Sequence, residues 1–125
     1  MNFDFLLDPY FISTFFNGLL MTIILALIAV IIGSILGFIP AYMRLSQNKF
    51  LRFIGQAYVE IIRGTPLLVQ VLIVYSLINV PIIIFLGIDL SSFIPGMIAL
   101  VINASAYIAE LIRGGINSVD KGQTE

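Results

Sequence analysis

Pro9-Tyr-Phe-Ile-Ser-Thr-Phe-Phe-Asn-Gly-Leu-Leu-Met-Thr-Ile-Ile-Leu-Ala-Leu-Ile-Ala-Val-Ile-Ile-Gly-Ser-Ile-Leu-Gly-Phe-Ile-Pro-Ala-Tyr-Met43 is a run without one charged side chain. A hydrocarbon core about 30 Å thick needs roughly 20 helical residues to cross it. The run therefore holds one membrane span with amphiphilic shoulders. No turn-forming cluster interrupts Leu19–Ile32, so two spans joined by a tight turn are excluded. The span is placed at residues 16–42, with residues 1–15 as an external segment before it.

The rest of the composition agrees. Of 125 residues, 60% are hydrophobic and 10% charged, whereas soluble domains carry about 25% charged residues. Lipid must be part of the solvent. The expected class is an all-α integral membrane protein, multi-pass in the cell membrane.

His and Cys are both absent. Thiol or imidazole catalysis and the usual zinc and haem sites are thereby excluded, and no catalytic or metal residue is expected. The net charge of −1 comes with no basic run, so no nucleic-acid partner is expected. Met1–Pro9 carries Asp4 and Asp8 and no cation, unlike the basic start of a secretory leader.

Within the first span, Ala29, Gly33, Gly37 and Ala41 recur every four residues. Such ladders let helix backbones approach closely in lipid. Pro40 is expected to kink the helix or loosen its last turns. Arg44, Lys49 and Arg52 follow with no acid before Glu60. Those cations put the loop inside and the N-terminus outside.

Residues 43–65 read as a cytoplasmic loop with an amphipathic helix. Phe50, Leu51, Phe53, Ile54, Ala57, Tyr58, Ile61 and Ile62 form its apolar face, and Arg52, Gln56, Glu60 and Arg63 the other. Glu60 and Arg63 are three apart and are expected to form a structural ion pair. Thr65 as N-cap and Pro66 at the first helical position begin a second span, residues 66–80. Residues 81–92 form an external loop. Ser91, Ser92 and Pro95 mark the start of a third span, residues 93–113, and Gly114-Gly115 ends or bends it. Three spans result, N-terminus out and C-terminus in.

Asn103, Tyr107 and Glu110 lie at i, i+4 and i+7, on one face of the third span. A carboxylate among Leu and Ile is costly in a membrane and usually turns toward a bundle interior or wet cavity. One reading is a polar path lining in which Glu110 holds a cationic group. The other is a pair with Arg113 or Lys121 at the inner headgroup level. No G-x-x-x-x-G-K-[ST] phosphate loop occurs, so any ATP used is hydrolysed by another polypeptide.

Glu60-Ile-Ile-Arg63-Gly-Thr-Pro66-Leu-Leu-Val-Gln70 and Ser105-Ala-Tyr-Ile-Ala-Glu110-Leu-Ile-Arg113-Gly-Gly-Ile116 resemble permease subunits of polar amino-acid ABC importers, of the histidine, glutamine and arginine type. Asn17-Gly18-Leu19 followed by Thr22 is similar as well. The resemblance implies a type I, five-span permease, of which residues 1–125 are the N-terminal part. It implies as partners an ATP-binding cassette ATPase subunit, an external substrate-binding protein, a second permease subunit and an amino acid substrate. ATP is then bound by the partner, and the permease has no cofactor of its own. Import proceeds by alternating access.

Carried onto this chain, the substrate path falls on Asn103, Tyr107 and Glu110. ATPase coupling falls on Lys121, Gly122 and Glu125, because Ser118–Glu125 is similar to the lead-in of the EAA coupling motif, with Glu125 at its opening acid. The competing expectation is a small membrane protein complete at three spans, a pore or accessory subunit without ATPase coupling.

Overall fold

The computed structural model describes residues 3–119 and 121–123. Among the described residues there are four α-helices: α1 (Pro9–Leu45), α2 (Lys49–Gly64), α3 (Leu67–Leu77) and α4 (Leu90–Ser118). A single 3-10 turn, Asp4–Leu7, precedes α1, and a two-strand ladder, β1 (Ile84–Phe85) with β2 (Ile88–Asp89), sits between α3 and α4.

α1 begins well before the expected residue 16. Asp8 accepts a hydrogen bond from Tyr10 N–H at 3.0 Å and Pro9 occupies the first turn, a combination that starts a helix efficiently. Pro40 stays inside the helix, which continues to Leu45. Only residues 46–48 separate α1 from α2, where Asn48 caps the new helix by accepting from Phe50 N–H at 2.9 Å.

The expected second span is not one straight helix. α3 has 11 residues, about 16 Å of rise, too short to cross a bilayer core alone. It meets α2 at a bend of 107°. α1 and α4 are each long and apolar enough to span, and the bent α2–α3 pair makes a third candidate. Thr65 ends α2 rather than capping α3: its hydroxyl donates to Ile61 O at 2.9 Å. Pro66 fills the cap position without a side-chain bond.

Residues 81–92 fold into more than a loop. Leu86 (φ 51°) and Gly87 (φ 79°) turn the chain between the paired strands, with Ile84 opposite Asp89. Asp89 then caps α4 through Ser91 N–H at 3.0 Å, so the helix starts at Leu90, ahead of the expected signals. At its other end α4 passes through Gly114-Gly115 to Ser118. Two glycines lower helix propensity by about 1 kcal/mol each, and the intact ladder of α4 absorbs them.

The buried side of α1 carries Ala29, Gly33, Gly37, Ala41 and Arg44. α4 lies against it so closely that a Cβ on Gly33 would sit 2.7 Å from Ala104 Cβ. One on Gly37 would sit 2.9 Å from Ser105 O. α2 crosses the end of α1 at Gly55, where a Cβ would be 2.8 Å from Met43 Cβ. Ala41, Val59 and Ala109 form the small core where the three helices meet.

Candidate functional site

The polar row of α4 faces the break between α2 and α3. Asn103 donates from Nδ2 to Gln70 Oε1 at 3.1 Å. Gln70, buried in the first turn of α3, donates to Ile62 O at 2.7 Å, Thr65 Oγ1 at 2.9 Å and Thr65 O at 3.1 Å. One amide side chain thus satisfies carbonyls freed by the bend and reaches across to α4. Backbone groups at membrane depth need such partners, since lipid supplies none.

One turn further along α4, Arg63 lies over the Tyr107 ring at 5.5 Å from its centroid, a cation–π arrangement. Beyond it is Glu110. Every ion pair among the described residues converges on that carboxylate: Arg44 from α1 is hydrogen-bonded to Oε2, Arg63 from α2 is 3.4 Å away, and Arg113 is 3.9 Å away. The Arg44 side chain is 3% exposed, against 32% for Glu110.

The expected Glu60–Arg63 pair does not form. Arg63 turns to α4, and Glu60 instead accepts from Gln56 Nε2 at 2.6 Å. Both partners of Glu60 were available on the same helix face, and the i, i+4 amide lies in reach without drawing Arg63 away from a carboxylate with deeper company.

Asn103, Tyr107 and Glu110 do share one seam, but Glu110 is not a free acceptor. Its oxygens face three guanidinium groups, including the expected Arg113. Lys121 belongs to a short 3-10 turn, Lys121–Gln123, with Gly122 exposed, and Glu125 lies outside the described residues. A second polar contact joins α2 to α4: Tyr58 OH is hydrogen-bonded to Ser105 Oγ at 2.6 Å.

Three contributors escaped the sequence reading. Arg44 reads in the sequence as a loop cation, yet it lies three residues after Ala41 and so continues the small-residue face. Gln70 was a lone amide in an uncharged run, which in a membrane segment already signals a buried partner. Tyr58 lies on the apolar face of α2 in the sequence, and only the partner of its hydroxyl, Ser105, goes unannounced there.

The chain matches the family described as "binding-protein-dependent transport system inner membrane component" over residues 29–125. It belongs to that family. Among its relatives, a putative glutamine transport system permease protein of Rickettsia conorii is 45% identical over 87% of this chain and 48% of the relative. The arginine transport system permease protein of Bacillus subtilis is 37% identical over 100% of this chain and 55% of the relative. A crystal structure of an amino acid ABC transporter with histidines superposes with a TM-score of 0.82 at 43% identity, covering 98% of this chain and 55% of that one.

The chain therefore spans about half the length of the permeases it matches. Its fold is that of the inner-membrane permease family, and it is a multi-pass membrane protein. The α2–α3 bend and the Glu110 cluster fall inside the matched residues.

Proposed function

We propose that this chain forms the membrane permease part of an ATP-driven importer of polar amino acids. The observation that carries it is the match to relatives named as glutamine and arginine transport permeases across nearly all of this chain. The proposed partners are an ABC ATPase subunit, an external substrate-binding protein and a second permease subunit. Orientation follows the cations of the α1–α2 turn, which put the Arg44 end inside.

The chain's own contribution is shape and polarity. Asn103 and Tyr107, on the α4 face that meets the bend, line the path. Glu110 acts chiefly as the anchor that ties α1, α2 and α4 at the inner end, with its charge already matched by arginine. Lys121, Gly122 and Glu125, just beyond α4, lead toward the ATPase. Movement of that segment is then delivered to α4 and, through Glu110, to the two other helices.

The test is reconstitution of the complete permease with its ATPase and binding protein in liposomes. ATP-dependent uptake of labelled glutamine or arginine is expected. Uptake of neither, with the assembly intact, overturns the substrate class.

A further inference from the structure

Three guanidinium groups meet a single carboxylate where α1 and α2 end and α4 nears its own end. That leaves two positive charges in excess. Arg44 holds the hydrogen bond to Glu110, yet its Nε stays buried with no partner. Arg63 and Arg113 approach only to 3.4 and 3.9 Å, and neither guanidinium makes a hydrogen bond among the described residues. Both remain open, 41% and 38% exposed. Each still offers a planar fork of donors suited to an oxyanion.

Their depth decides which oxyanion is at hand. Counted from Leu90, α4 reaches Arg113 after about 35 Å of rise, more than the roughly 30 Å of a hydrocarbon core. Arg63 is the penultimate residue of α2, which lies at 107° to α3. Because Arg63 approaches the same carboxylate as Arg113, α2 ends at that depth. Its exposed Phe50, Phe53 and Ile61 face the acyl boundary while Lys49 and Arg52 stay polar. The surroundings of Arg63 and Arg113 are then the phosphate layer.

We propose that the open edges of Arg63 and Arg113 together hold the phosphate of an anionic phospholipid. That phosphate supplies the countercharge that Glu110 alone does not. A zwitterionic lipid brings its own cation to the same spot, so the site selects for net negative headgroups. This inference rests on the charge cluster and its depth, and stands whatever substrate the permease carries.

The complete transporter in nanodiscs of equimolar phosphatidylcholine and phosphatidylglycerol provides the test, with retained lipids counted by native mass spectrometry. At least about fivefold enrichment of phosphatidylglycerol over phosphatidylcholine is expected from the preference of a membrane-surface arginine for a net negative headgroup. Arg63→Gln with Arg113→Gln should abolish it, and Arg63→Lys with Arg113→Lys should keep most of it. Retention that mirrors the bulk mixture overturns the proposal, as does unchanged enrichment in the glutamine pair. Should the glutamine pair fail to assemble, the wild-type count and the lysine pair still decide. Release of the bound phosphatidylglycerol by millimolar glutamine or arginine would instead assign the site to a substrate carboxylate, and the proposal fails.

Discussion

Arg44, in the last turn of α1, is hydrogen-bonded to Glu110 of α4, 66 residues further along the chain. The pair is lopsided: the arginine is almost fully covered, the carboxylate about one-third open. Arg63 and Arg113 share the same carboxylate. Removing Glu110 therefore strands three cations, whereas removing Arg44 leaves Glu110 with two.

That asymmetry is measurable. Breaking a buried pair by deleting one partner costs about 3–5 kcal/mol, because the other charge is left uncompensated. Partial exposure of Glu110 places its loss toward the lower end. Glu110→Gln should lower the melting temperature of the detergent-solubilised permease more than Arg44→Met, which keeps the apolar stem. The reverse order would show that Arg44 contributes through packing and that Glu110 is not the hub.

The small residues of α1 give a second ordering. Gly33→Ala and Gly37→Ala place a methyl 2.7 Å from Ala104 Cβ and 2.9 Å from Ser105 O, so α1 and α4 must separate. Overpacking of this kind costs roughly 1–3 kcal/mol. Gly114 and Gly115 have nothing within 4 Å of an added Cβ and lie inside α4. Gly114→Ala and Gly115→Ala should each stabilise by up to about 1 kcal/mol. Thermal melts of the four single variants should split into two losses and two gains. Losses at Gly114 and Gly115 would mean that the helix needs to break there.

How far the sequence speaks for itself differs between elements. The uncharged run that became α1, the polar row of α4 and the amphipathic face of α2 each follow a local period, so they are legible. The bend between α2 and α3 is not, because the same Gly64-Thr65-Pro66 can begin a straight span or turn the chain by 107°. Gln70 decides by meeting the freed Ile62 carbonyl and Asn103 at once, and that is a tertiary fact. The Glu60–Arg63 expectation failed for the same reason: helix spacing names possible partners, but α4 supplied a better carboxylate from outside the helix. Gly114-Gly115 shows propensity overruled by continuation of a long helix.

Gln70 is then the residue on which the bend should depend. Gln70→Leu keeps the bulk and loses hydrogen bonds to Ile62 O, Thr65 and Asn103. Leaving buried polar groups unmet costs about 1–3 kcal/mol per group. Asn103→Leu should cost less than Gln70→Leu, since Gln70 retains its backbone acceptors. Hydrogen exchange at the amides of residues 62–70 should quicken in Gln70→Leu and much less in Asn103→Leu. Equal protection in both would leave the bend to Pro66 alone.

The capping of α4 carries a pH signature. The Ser91 hydroxyl, and then its backbone N–H, donate to Asp89 and hold its carboxyl below the usual aspartate range. A carboxyl whose folded value lies below its unfolded value, near 3.9, stabilises the folded state above that value. The contribution fades as the pH falls through the lower, folded value. Asn caps helices nearly as well as Asp but does not titrate. Asp89→Asn should therefore differ from the wild type most at neutral pH, and the difference should shrink as the pH falls below about 3.9 and on through the lower, folded value. Melting temperatures of the two proteins, followed downward from about pH 5, should converge. Parallel curves across that range would show that the charge of Asp89 contributes nothing and that its oxygen alone caps the helix.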